Sequence, residues 1–215
     1  LSGIAPPAPV VPGRLGILGG TFDPIHHGHL AIAEEAREAL GLERVLFVPA
    51  ARPPHKPGRP IAGAEDRLAM VRLAIAGNPA FEASRIELDR DGPSYTAETL
   101  QRLCDQGARD LWFILSGEAL AGLPGWHQPD RVLELARLAV VPRGGSPAPD
   151  RGWIDEQFPG RRERFVFLSG PLMPISGSVI RQRLAAGRSV RYLVPEAAAA
   201  YLDAHRLYAQ PDGGS

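Results

Sequence analysis

Short apolar runs alternate along the chain with stretches whose apolar residues recur at helical spacing, and this alternation limits the fold more than any other feature. The runs Arg14–Gly19, Arg44–Val48, Phe81–Leu88, Asp110–Leu115, Leu138–Val141 and Arg164–Leu168 predict strands, Phe81–Leu88 being the weakest. Helices are predicted over His29–Leu40, Ala64–Ala76, Tyr95–Gln106, Arg131–Ala136, Ser178–Ala186 and Pro195–His205. Pro49 stops the second strand, Ser94 is placed to cap the helix at Tyr95, and Pro195 suits a first helical position. Strands joined by helices demand a parallel sheet covered on both faces, because each crossover lays its helix on the sheet. The length suits a single α/β domain, expected over 14–208, with a Pro/Ala-rich lead-in at 1–13 and a loose tail at 209–215. The Pro/Gly-rich segments Ala51–Ile61 and Gly144–Gly152 read as surface loops.

The formal net charge is zero, which argues against a dedicated nucleic-acid or anionic-membrane partner. No apolar run is long enough to span a bilayer, and the lead-in lacks the charged start and apolar core of a signal peptide. The single cysteine, Cys104, excludes an internal disulfide and a cysteine-built zinc cluster, and it fits a reducing cytoplasm. Lys56 is the only lysine among 24 basic residues; it stands there either for its compact point charge or by chance. The apolar stretch Leu133–Val141 suits core or an interface between copies, so a homo-oligomer stays open.

Ligands of open parallel sheets collect beyond the carboxyl ends of the strands, where the strand order reverses. The first strand ends in Gly19–Leu30, GGTFDPIHHGHL. This is neither of the common glycine-rich phosphate loops. It is still a glycine turn into a helix, so backbone N–H groups and a positive helix end should face an anion. His26 and His29, three apart, share one face of the first helical turn, and Gly28 removes bulk where a triphosphate must approach. Three histidines in four residues also fit a metal site or a surface cluster without function, although no distal His/Cys pair is apparent to complete a zinc site. Near the C-terminus, Ile175–Arg181 (ISGSVIR) places Ser176 as a helix cap and Arg181 about one turn in, able to reach a phosphate docked at the helix start.

The first of these segments resembles the signature of the H-x-G-H nucleotidyltransferases, and the second is similar to that family's I-S-S-T-x-I-R motif. The resemblance implies a Rossmann-like, doubly wound sheet. It also implies that ATP is bound by Gly19, Gly20, Thr21, Phe22, His26, Gly28, His29, Ser176, Ser178, Ile180 and Arg181. His26, His29, Lys56 and Arg181 would be the catalytic cations. Ser178 stands for the family's Thr and keeps its hydroxyl, whereas Gly177 replaces its second Ser.

Within that superfamily, Pro49–Lys56 (PAARPPHK), Pro93–Leu100 (PSYTAETL), Leu123–Ala136, Val141–Gly145 and Val190–Tyr208 resemble the nicotinate-nucleotide adenylyltransferases in order and spacing. That resemblance covers the chain from Arg14 to Tyr208. It implies adenylyl transfer from ATP to nicotinate mononucleotide in NAD biosynthesis, by direct in-line attack with no covalent enzyme intermediate. Mg2+ would ride on the ATP phosphates without a dedicated set of protein ligands. Trp126 would stack on the pyridine ring, while backbone N–H groups near Thr96, Ala97 and His127 would hold its carboxylate. Lys56 and Arg143 would meet the acceptor's phosphate, and Tyr95 is read as packing. Glu118 stands where the family carries an Asp near a ribose. Phosphopantetheine adenylyltransferase is the nearest rival, and a nucleotide-binding regulator without catalysis is the alternative of another class.

Overall fold

The six apolar runs become six strands of one sheet. A computed structural model describes residues 11–53, 62–142, 149–170 and 173–209. Along the chain come β1 (Val11–Gly20), α1 (His27–Leu40), β2 (Leu42–Pro49), α2 (Ala64–Ile75), β3 (Phe81–Ala83), α3 (Thr96–Asp105) and β4 (Asp110–Ser116). They are followed by α4 (Gly117–Ala121), α5 (Pro129–Leu135), β5 (Ala136–Val141), α6 (Arg151–Gln157), β6 (Phe165–Phe167), α7 (Gly177–Ala185) and α8 (Glu196–Ala204). The strand order is β3-β2-β1-β4-β5-β6. β1 pairs with β4, β4 with β5 and β5 with β6, all parallel, in a register that aligns Ile17 with Phe113, Phe113 with Leu138 and Leu138 with Phe165. The order reverses at β1. Right-handed crossovers on either side of that reversal lay helices on both faces, the doubly wound arrangement expected. The carboxyl end of β1 is therefore the place where a ligand turn belongs, and Gly19–Leu30 starts there.

By their internal contacts the described residues form two units. One lies within Leu1–Gly19, Ala31–Leu46 and Tyr95–Met173, and its core is built from Ile17, Ile114, Leu133, Leu138 and Ala139. Both central strands are buried along nearly their whole length, as strands covered on two faces must be. In the same unit Gly16 is dictated by packing, since a Cβ there would lie 2.7 Å from Leu42 Cδ1. At the amino ends of the strands, Trp112 lies between the guanidinium groups of Arg14 and Arg137, 5.5 and 5.2 Å from the ring centre. The other unit lies within Gly20–Leu30, Phe47–Ser94 and Pro174–Ser215, with a core of Phe22, Phe47, Leu68, Met70, Val71, Ile180 and Ala198.

Several boundaries differ from expectation. β1 starts at Val11 rather than Arg14, because Val11 N–H reaches Gly41 O at 2.8 Å and extends the pairing into the expected lead-in. β3 ends at Ala83, five residues early; the Ser84 hydroxyl accepts Ile86 N–H at 3.2 Å and turns the backbone out of the strand. Ser94 does not cap α3: Tyr95 is the N-cap residue, and Ser94 Oγ instead accepts Arg52 N–H at 3.2 Å. Pro195 precedes α8 as its N-cap residue. The segment read as a loop through Gly152 gives way to α6, whose start is capped by Asp150 accepting Trp153 N–H at 2.9 Å. Among the described residues no helix is long and apolar enough to cross a membrane.

Candidate active site

The turn after β1 is built around two imidazoles. α1 begins at His27, so His26 is the residue before the helix and His29 is its third residue. His29 Nδ1 accepts the backbone N–H of His26 at 3.2 Å, and the two rings stack with centres 3.7 Å apart. An amide N–H can only donate, so Nδ1 must be the unprotonated nitrogen and the ring proton sits on Nε2. This is the reciprocal geometry of a capping box, with histidine in the place usually held by Glu or Gln. Phe22 meets His29 edge-on at 5.0 Å and is buried, held in the left-handed region at φ 50°. Such a backbone costs an L-residue on the order of 1 kcal/mol, offset here by the buried ring.

Gly28 has a different reason from the one expected. A Cβ on it would lie 3.0 Å from His26 Nδ1, so the glycine makes room for the His26 ring rather than first of all for a ligand. The helix start is also a narrower anion site than the sequence implied. His27 N–H already donates to Leu193 O at 3.0 Å, and His29 N–H to His26 O at 2.9 Å.

Under the turn lies a buried polar cluster that sequence reasoning missed. Asp23 is 5% exposed; its Oδ1 accepts Ala62 N–H at 2.9 Å and the Tyr208 hydroxyl. Arg181 Nη1 donates to the Asp23 carbonyl at 2.6 Å and lies 3.3 Å from Asp23 Oδ2, while its Nη2 donates to Ser178 Oγ at 3.2 Å. Arg67, 1% exposed, donates to the carbonyls of Ala62 and Thr21 at 3.0 and 2.7 Å and of Ala51 at 3.4 Å. Burial lowers the Arg67 pKa, against the pull of Asp23. Burial, then the bond to Asp23, raises that of Tyr208 far above the tyrosine range. Gly177 is explained by the same cluster: its Cβ would stand 2.8 Å from the Asp23 carbonyl oxygen. Asp23 and Tyr208 sat inside quoted motifs without a task, while nothing in the helical pattern of α2 marked Arg67.

The residues expected to meet the acceptor's ring lie in the first unit. Trp126 is half-buried after a 3-10 turn at Leu123–Gly125 and packs edge-on against Phe113, ring centres 5.9 Å apart. His127 is exposed and stacks on Tyr95 at 4.3 Å, so Tyr95 is more than filler: it holds the loop that bears Trp126 and His127 to the start of α3. Thr96 and Ala97 open that helix, and the N-cap Tyr95 supplies its amides with no side-chain acceptor, which leaves a helix start suited to a carboxylate. Glu118 is exposed in the first turn of α4.

Of the other expected ligand residues, Gly19 ends β1 with Phe113 packed 3.3 Å from where its Cβ would be, and Gly20 O accepts Ala50 N–H at 2.8 Å. Ser176 caps α7 by accepting Val179 N–H at 3.3 Å. Ile180 is fully buried and its N–H bonds Ser176 O, so its side chain belongs to the core and not to a nucleotide contact. Lys56 and Arg143 lie outside the described residues. Among the described residues no group of three or more His, Cys, Asp or Glu is arranged to hold a metal ion, so the histidine turn is not a zinc site built from these side chains.

Comparison with known proteins agrees with this geometry. The family model described as cytidylyltransferase-like matches residues 17–183. A probable nicotinate-nucleotide adenylyltransferase of Roseiflexus sp. (strain RS-1) is 55% identical over 90% of this chain and 97% of its own. A probable nicotinate-nucleotide adenylyltransferase of Dehalococcoides mccartyi (strain ATCC BAA-2266 / KCTC 15142 / 195) is 45% identical over 91% and 97%. Among solved structures, Plasmodium falciparum nicotinic acid mononucleotide adenylyltransferase complexed with NaAD superposes with a TM-score of 0.76, covering 91% of this chain and 97% of that one at 15% identity, a likeness of fold.

Proposed function

This chain belongs to the nicotinate-nucleotide adenylyltransferases of the cytidylyltransferase-like family, and we propose that it joins the AMP moiety of ATP to nicotinate mononucleotide, releasing pyrophosphate. The observation that carries the reading is the histidine pair: a backbone amide fixes His29 with its proton on Nε2, on the turn where a phosphate donor belongs. The acceptor's phosphate oxygen is anionic near neutral pH, so it attacks the α-phosphorus of ATP in line without a general base. The bond to the pyrophosphate oxygen breaks as the new P–O bond forms, and no enzyme group is acylated or phosphorylated. Catalysis then rests on positioning two polyanions and on donors aimed at the oxygens where charge develops. His29 Nε2–H is one such donor, and the Arg181 guanidinium, braced by Asp23 and Ser178, is a second. His26, buried and stacked beneath it, positions His29. Lys56 is assigned to the same phosphates by its place in the family pattern.

Mg2+ carried on the ATP phosphates neutralises part of their charge; the described residues offer it no protein cage, which fits an ion that arrives with its nucleotide. On the acceptor side, Trp126 offers a ring face to the pyridine, and the opening amides of α3 with the backbone at His127 take the carboxylate. Two oriented N–H donors favour an acid over an amide, which would bring an NH2 to one of them. Arg143 is assigned to the acceptor's phosphate and Glu118 to a ribose. The single cysteine and the lack of a membrane-crossing helix among the described residues support a place in the cytoplasm.

Pyrophosphate release with ATP and Mg2+ tests the reading, with nicotinate mononucleotide, nicotinamide mononucleotide and phosphopantetheine offered in parallel. Preference for the nicotinate substrate is expected. Turnover with phosphopantetheine alone would overturn the roles of Trp126 and Thr96. ATP binding without pyrophosphate release would overturn the catalytic assignment and leave a nucleotide-binding regulator.

A further inference from the structure

Tyr208 lies 185 residues from Asp23 in the chain, yet its hydroxyl donates to Asp23 Oδ1. The same oxygen accepts Ala62 N–H at 2.9 Å. One donor would hold the carboxylate at a point about which it can swing. Two donors from different segments fix its plane and turn Oδ2 toward Arg181, 3.3 Å away. The Asp23 side chain is 2% exposed and that of Arg181 25%, so a cation that water and ligand can reach takes its orientation from a buried acid. The second bond from Arg181 Nη1, to the Asp23 carbonyl at 2.6 Å, ties the same guanidinium to the backbone of the histidine turn.

We propose that Tyr208 is a positioning residue for ATP, acting through Asp23 to aim the Arg181 guanidinium at the triphosphate. The proposal rests on the assignment of Arg181 to the ATP phosphates. A phenol suits the task, because its burial and its bond to Asp23 keep it protonated, and therefore a donor, over the whole neutral range. Phenylalanine in its place would fill the same space and leave Asp23 Oδ1 with the Ala62 amide alone.

The test uses the full chain carrying Tyr208→Phe. Its KM for ATP, and its Kd for an ATP analogue that cannot transfer its adenylyl group, should rise roughly three- to tenfold, the equilibrium effect of one lost hydrogen bond. The KM for nicotinate mononucleotide should stay within about twofold. In Asp23→Asn, the further Tyr208→Phe change should have no additional effect on the analogue's Kd, because the path through the carboxylate is already broken. Unchanged ATP parameters in Tyr208→Phe overturn the proposal, and so does an equal rise for both substrates, which a purely structural tie would give. If the unaltered chain releases no pyrophosphate with any acceptor, the transfer reading fails, while the analogue-binding arm still decides the role of Tyr208.

Discussion

Two substitutions at His29 separate the two things its ring does. Asparagine carries an amide oxygen close to where imidazole carries Nδ1, so His29→Asn keeps an acceptor for the His26 amide and removes the Nε2–H donor. Alanine removes both. The amide belongs to a residue only 4% exposed, so leaving it without its acceptor costs roughly 1–3 kcal/mol. The ring contacts with His26 and Phe22 are lost in both variants and contribute about 0.5–1.5 kcal/mol each to both. His29→Ala should therefore be less stable than His29→Asn by about 1–3 kcal/mol in urea denaturation. Turnover should fall alike in the two, by about 10²–10³, equivalent to roughly 3–4 kcal/mol for one donor to a developing oxyanion. Near wild-type pyrophosphate release by His29→Asn would refute the role of Nε2–H. Equal stability of the two variants would refute the capping role of Nδ1.

Gly177→Ser restores the residue of the family motif, but its Cβ must displace the Asp23 carbonyl from 2.8 Å, so a loss of about 1–3 kcal/mol is expected by chemical denaturation; a variant as stable as the parent would contradict that packing. Trp126→Ala should raise the KM for nicotinate mononucleotide about tenfold, from the loss of a stacking face, and leave that for ATP nearly unchanged; a matched rise in both would point to a folding defect. Tyr208 titrates above its ordinary value of 10.0, so its contribution to stability is complete below about pH 10 and declines as pH rises from there toward the folded value. Tyr201, raised in the same direction, keeps its own share. Stability followed from pH 9 to pH 11, taken as roughly one unit either side of a free tyrosine's pKa, should fall less in Tyr208→Phe than in the parent; parallel slopes would show that the Asp23 bond does not hold the proton.

The sheet was legible because its strands are covered on both faces, which writes them as unbroken apolar runs such as Asp110–Leu115 and Leu138–Val141. Where a local polar bond competes with the pattern, reading failed. Ser84 and Ser94 turn their hydroxyls to nearby backbone amides, and those bonds end β3 early and leave α3 without the expected cap. The histidine turn was legible as a motif, but the reason for Gly28 was not, since the stacked ring that needs its space is a tertiary arrangement. The same holds for Asp23, Arg67 and Tyr208. Buried polar groups are satisfied by partners far away in sequence, and no spacing rule announces a bond across 185 residues. Ile180 shows the opposite error: a position carried over with a motif proved to be the residue that seats the helix in the core.

The carbonyl oxygen of Asp23 receives the Arg181 bond on one side and stands too close on another for any side chain at residue 177. Its carboxylate answers Tyr208 and Ala62. Residues 23, 177, 181 and 208 therefore form a set whose members are not independently exchangeable, and the effect of changing one depends on which of the others are present. A serine that serves a relative at position 177 is compatible there with its own arrangement of this turn, and it need not transplant. Variation in this part of the molecule is thus contingent on history: the glycine can be regained as serine only after the turn has moved, and the turn has little reason to move while the glycine is there.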